Sequence, residues 1–174
     1  MLKAFFKNDT QCGPVIQYYR EGMLFRESNY VKGLVNGEIK TYWPSGKLKA
    51  INYYRMGKPM VGLKEYDRDG KLVTDMPKIM VEEVNQVRQL GRILLKVSVS
   101  DDADKVEIYS GQLVDGKYFP DYADKLPVID GTAVFDYPVL KNTPKRRRLS
   151  FIAKFRTANG NTTIAQKYYD VVVR

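Results

Sequence analysis

Histidine is absent from this chain and cysteine occurs once, at Cys12. Those two facts remove a large share of enzyme chemistry. A His-activated nucleophile, a His-based triad and a Cys/His metal site all need residues that are not here. With no histidine to activate it, Cys12 reads as an inert residue beside the turn glycine Gly13. The acids Asp101, Asp102 and Asp104 sit close enough to suggest calcium. They lack the glycine and the distal glutamate of an EF-hand loop, so a solvated turn between strands is the reading. Asp67 and Asp69 are explained by turn chemistry alone. No paired carboxylates are marked out for glycoside hydrolysis. The expectation is a non-catalytic protein with no metal and no cofactor.

Binding chemistry is better represented. Tyr18, Tyr19, Tyr42, Trp43, Tyr53, Tyr54 and Tyr66 fall within one half of the chain. Such a set suits repeat packing or a stacking surface for a peptide, glycan or lipid headgroup. Tyr18, Tyr42 and Tyr66 recur at a fixed spacing and are assigned to packing. Trp43 is the single tryptophan, and the residues at its spacing are Tyr19 and Asp67. It therefore reads as no requirement of the pattern and as the better candidate for an exposed contact. Tyr19 and Tyr53 join it as candidate partner-binding residues. Lys145, Arg146, Arg147 and Arg148 form a basic run placed in a loop before a strand. It is read as a solvated edge or a guard against strand pairing, and alternatively as a contact for anionic lipid or other phosphate groups.

The elements that must position these residues follow from composition and pattern. The chain has 174 residues, 44% of them hydrophobic, and a formal net charge of +9. It can bury a core. The basic excess is spread over both halves and interleaved with acids, which predicts only weak, charge-driven binding of nucleic acid. No apolar run approaches the roughly 18–20 residues of a membrane-spanning helix. Met1 to Gly13 has no signal-peptide core. An exported protein whose signal has been removed is the favoured location, a cytoplasmic one the alternative.

A period of 24 residues runs through the first half. It aligns Tyr18 with Tyr42 and Tyr66, Gly22 with Gly46 and Gly70, and Leu24 with Leu48 and Leu72. Phe6, Tyr30 and Tyr54 keep the same step, as do Val15, Ile39 and Leu63. Gly13 and Gly37 match, but the third position is Val61, with Gly62 one residue late. Each unit reads as a β-hairpin. Lys47 to Tyr54 is a strand, Arg55 to Lys58 a turn, Met60 to Tyr66 the returning strand and Asp67 to Gly70 a second turn. Under a two-residue alternation, Tyr42 and Ile39 fall on opposite faces. That predicts a single extended sheet, quasi-one-dimensional, over residues 1–75.

The unit Gly37-Glu-Ile-Lys-Thr-Tyr42-Trp-Pro-Ser-Gly46-Lys-Leu48, echoed by Tyr66-Asp-Arg-Asp-Gly70-Lys-Leu72, resembles the MORN-variant repeat. Bacterial chains with such repeats are often labelled YwqK-like antitoxin proteins. The resemblance covers residues 3–75. It implies a hairpin-repeat fold and, through the label, an alternative role as a cytoplasmic antitoxin that binds a toxin partner.

Beyond Leu72 the period stops. Thr74 to Lys78 contains Pro77 and reads as a linker. Residues 76–174 hold short apolar segments at Arg92–Ser100, Lys105–Ser110, Thr132–Tyr137 and Leu149–Arg156, then an Asn159-Gly160 hairpin, a returning segment from Thr162 to Lys167 and a closing one from Tyr168 to Val173. Val81 to Leu90 fits a short helix or a strand. The spacing resembles an immunoglobulin-like β-sandwich without its cysteines or core tryptophan. The expected fold is all-β, a single-layer meander of hairpin repeats followed by a sandwich. The expected function is non-catalytic binding or scaffolding in the bacterial cell envelope. Another protein is the expected partner, and glycan or anionic lipid the alternative.

Overall fold

The structure, a computed structural model, describes residues 1–100 and 103–173. Among the described residues it is all-β with one short helix, and the chain divides into two compact units, Met1–Met76 and Pro77–Arg174. Asp101 and Asp102 lie outside the described residues.

The first unit is a meander. The main path of its sheet runs through β1 (Leu2–Lys3), β2 (Gly13–Tyr18), β3 (Leu24–Val31), β4 (Gly37–Tyr42), β5 (Leu48–Arg55) and β6 (Lys64–Glu65), with short two-residue strands beside it. They pair antiparallel in chain order. The 24-residue period is reproduced in the pairing between hairpins: Lys3 faces Ile16, Glu27 faces Lys40 and Ile51 faces Lys64. It is reproduced in the turns as well. Lys32-Gly33 and Met56-Gly57 both take positive φ, +51° and +77° in the first, +46° and +80° in the second. Two consecutive left-handed residues are what a tight hairpin turn of right-handed twist requires.

The third hairpin departs from the expectation. Met60 to Tyr66 is not one returning strand. Lys58–Pro59 pairs with the end of β5 just as Leu34–Val35 pairs with the end of β3, but the strand that follows, β6, keeps only two residues where β2 and β4 have six. The glycine of this hairpin is also displaced by one residue. Gly62 takes φ +103°, and a Cβ there would stand 3.5 Å from the Tyr53 ring.

The second unit has two four-stranded sheets. One holds β7 (Ile79–Gln86), β8 (Arg92–Val99), β12 (Thr132–Pro138) and β11 (Val128–Ile129), in that order. The other holds β10 (Asp124–Leu126), β9 (Ala103–Ser110), β13 (Arg146–Thr157) and β14 (Thr162–Val172). Alternation decides the core. Ile93, Leu95 and Val97 turn inward from β8 while Lys96 stays out, and they meet Ile108, Phe151, Ala153 and Phe155 from the other sheet. Phe135 closes edge-on against Phe151, with centroids 5.5 Å apart.

Three local expectations change here. Val81 to Leu90 is both things: strand to Gln86, then α1 (Val87–Leu90), ended by Gly91 in the left-handed region. The returning and closing segments form one continuous strand, β14. The basic run is not a loop, since Arg146, Arg147 and Arg148 are the first residues of β13.

Candidate functional site

The repeat sheet has two chemically different faces, set by the alternation of each strand. On one face Val15 stands beside Ser28 and Ile39 beside Asn52, all buried. The other face carries a row running across all six strands: Lys3, Ile16, Glu27, Lys40, Ile51 and Lys64, each the register partner of the next. Two residues along each strand, Tyr42 and the Glu38–Tyr53 pair flank that row.

A polar network fixes this face. The Tyr42 hydroxyl donates to Glu27 Oε2 at 2.6 Å, and Lys40 Nζ forms an ion pair with Glu38 Oε1 at 3.1 Å. Desolvation, then the Glu27 carboxylate, push the Tyr42 phenol up to about 12. The hydrogen bond to Glu38, followed by its charge, raises the Lys40 ammonium above its ordinary value. One repeat earlier the same slot holds a different pair: Lys3 Nζ lies 5.7 Å from the Tyr18 ring centroid. Tyr18, Tyr42 and Tyr66 are all half-buried. Tyr53, named from the sequence as a candidate, lies on this face. Glu27, Glu38 and Lys40 were missed. The signal that could have found them is the column arithmetic, which sets residue 27 opposite residue 40 once the hairpin register is known.

Trp43 and Tyr19 prove to have work in the repeat. The Tyr19 hydroxyl donates to the Tyr42 carbonyl at 2.7 Å. Trp43 Nε1 donates to the carbonyls of Tyr66 and Asp67 at 3.2 and 3.1 Å. Both therefore tie one hairpin to the next, which corrects the reading that Trp43 lies outside the pattern. What repeats is the donor, not the residue type. Asp67, the third member of that column, instead caps its own turn, its Oδ1 accepting from the amides of Asp69 and Lys71 at 2.9 Å each. Those two bonds hold its carboxyl below the usual range, the Lys71 amide contributing most. Lys49 Nζ lies 4.6 Å from the centre of the Trp43 ring and the Arg68 guanidinium 5.6 Å. Cys12 occupies the place of Asn36 and Met60, and its amide makes the equivalent turn bond, to the Phe5 carbonyl at 2.9 Å.

In the second unit two members of the basic run share one facing carboxylate. Arg146 and Arg148 both bind Asp170 on β14, at 2.7 and 2.9 Å. Arg148, then Arg146, hold the Asp170 carboxyl far below the carboxylate range. Arg147 alternates to the opposite face, and the Lys145 carbonyl accepts from the Val173 amide. All four residues are exposed. A second hub centres on Glu107, which binds Lys125 Nζ at 2.6 Å, Lys154 Nζ at 2.8 Å and the Tyr109 hydroxyl at 2.7 Å. These bonds, Lys125 first, bring the Glu107 carboxyl down to about 2. Asp104 is ion-paired to Arg156.

Among the described residues no group of three or more acids, cysteines or histidines is placed to hold a metal ion. No helix among them is long and apolar enough to cross a membrane.

Fold and face together define a β-hairpin repeat protein. The family model described as MORN repeat variant matches residues 11–32 and 35–56, one segment ending just past β3 and the next just past β5. No curated protein and no solved structure matches the chain.

Proposed function

We propose that the protein is a non-catalytic binding or scaffolding protein of the bacterial cell envelope, and that its contact surface for another protein is the tyrosine face of the repeat sheet. One observation carries this reading. Tyr18, Tyr42 and Tyr53 share a face with Lys3, Glu27, Glu38 and Lys40, half-exposed and already ordered by hydrogen bonds and ion pairs. Tyrosines with few rotatable bonds lose little entropy on binding and offer both apolar area and a polar tip.

The second unit would act as a rigid partner module of immunoglobulin type. Its strand order supports that. One sheet takes the first, second, sixth and fifth strands of the unit, and the other the fourth, third, seventh and eighth. Immunoglobulin-like sandwiches divide their strands between sheets in a similar way. The pairing of a repeat sheet with such a sandwich is what suggests the envelope.

A photoreactive residue in place of Tyr53, in the native host, tests the contact face. A defined protein adduct that is lost when Lys40→Glu is added is expected. No adduct from Tyr53, or an equal one from Tyr122, which is 68% exposed in the second unit, would overturn the assignment.

A further inference from the structure

We propose that the tyrosine face binds a proline-rich segment in the polyproline II conformation, with acidic residues between its prolines. The proposal rests on the reading of that face as a protein contact surface and names the partner's chemistry.

The argument begins with spacing. Tyr18, Tyr42 and Tyr66 hold one place in three successive hairpins, and the register between hairpins is the same each time. Each tyrosine therefore stands two strands from the next. Strands in a sheet are separated by about 4.8 Å, so the rings recur at about 9.6 Å. A polyproline II helix has three residues per turn and repeats at about 9.3 Å. Its prolines, placed at every third residue, would meet successive rings nearly in step. An extended β-strand repeats its side-chain direction at about 6.8 Å and falls out of step by the second ring. An α-helix repeats at about 5.4 Å and does no better.

The chemistry of the face agrees. Polyproline segments dock on aromatic-lined surfaces because they are already extended and lose little entropy on binding. Tyr42 is held by its hydroxyl bond to Glu27, and Lys3 Nζ lies 5.7 Å from the Tyr18 ring centroid. Ile16 and Ile51 place apolar surface in the same row as the charged residues. Lys3, Lys40 and Lys64 outnumber Glu27 and Glu38 on this face. That excess favours acidic residues between the prolines over basic ones. A polyproline II backbone makes no internal hydrogen bonds, so its carbonyls are available to lysine ammonium groups.

The test uses the full chain and a synthetic peptide of about twelve residues with proline at every third position and glutamate among the spacers. Affinity is measured by calorimetry against three comparisons: a scrambled peptide of identical composition, the peptide with lysine for glutamate, and a soluble β-1,4-linked oligosaccharide. Binding to the first peptide is expected, weakened at least about tenfold by scrambling or by Tyr42→Ala. Tyr53→Ala and Lys64→Glu supply independent variants should Tyr42→Ala fail to fold, and Tyr122→Ala in the second unit should leave affinity unchanged. Equal binding of the scrambled peptide overturns the proposal. So does binding that survives the face variants, a preference for the lysine peptide, or binding of the oligosaccharide alone. A Tyr53 adduct in cells with no peptide binding would sink this inference and leave the protein-contact reading standing. Loss of both would sink both.

Discussion

The hydroxyl of Tyr19 donates to the main-chain carbonyl of Tyr42 at 2.7 Å, and Trp43, 24 residues after Tyr19, makes the same kind of reach to Tyr66 and Asp67. Two different aromatic residues thus perform one task, the fastening of each hairpin to its successor. Side-chain packing runs in the same direction. Met23 lies against Gly46 and Leu34 against Gly57. A thin sheet has little two-layer core, so these longitudinal ties carry much of its order.

Trp43→Phe keeps a ring and deletes the donor. A net hydrogen bond is worth about 0.5–1.5 kcal/mol, so the variant should lose about 1–2 kcal/mol, and Tyr19→Phe about 1. Urea unfolding monitored by tyrosine fluorescence would show the loss. An unchanged midpoint for both variants would mean that the ties are incidental.

The repeat glycines should differ in cost according to what stands over them. Gly22 has φ +91° and open space, so Gly22→Ala meets only the left-handed penalty, about 1 kcal/mol. Gly57 has φ +80° and Leu34 Cδ2 at 3.4 Å from any added Cβ, so Gly57→Ala should cost more. Gly111 in the second unit is the extreme, with Ala123 Cβ at 3.0 Å and its Cα at 3.2 Å. Gly111→Ala should cost about 1–3 kcal/mol because backbone must move. Thermal melts that rank the three otherwise contradict this account.

Glu107 makes the second unit acid-sensitive. Its carboxyl lies at about 2 in the folded protein against 4.5 ordinarily. The folded state therefore favours the ionised form. The resulting stability is present above the ordinary value and is lost as pH falls through about 2. Glu107→Gln should flatten the fall in stability between those values while lowering stability near neutrality. A pH–denaturation series checks both signs at once.

Tyr42 should act at the alkaline end. Its phenol is raised from 10.0 to about 12, so the folded state favours the neutral form. That stability is present below the ordinary value and is lost as pH rises through about 12. Tyr42→Phe should remove this contribution to the alkaline limb. An identical limb in the variant would refute the link.

The basic run should bind anions only weakly. Asp170 already engages Arg146 and Arg148, and exposed ion pairs are worth little individually. Binding to nucleic acid should be measurable at low salt and gone near about 0.15 M, where charges are screened beyond about 8 Å. Replacing Arg146, Arg147 and Arg148 with Ser should flatten the salt slope and preserve the fold. Tight binding that persists at that salt and vanishes in the triple variant would require a site that charge alone does not explain.

The sequence by itself determined the all-β class, the 24-residue period and the turns. Each of these is local: a glycine or an Asn-Gly pair commands a backbone angle, and alternation commands a face. It also separated Ile39 from Tyr42 correctly. Only the tertiary structure decided what lies across from what. The Glu27–Tyr42 bond, the clamp of two arginines on Asp170 and the reach of Trp43 to Tyr66 join residues 15 to 24 positions apart. Their existence depends on strand register and on bulges such as the one between Thr41 and Tyr42. A one-residue slip would exchange the two faces of the sheet. The tie made by Trp43 was hidden for the same reason. Its column varies in residue type, while the carbonyl it serves is a main-chain atom that leaves no mark in the sequence.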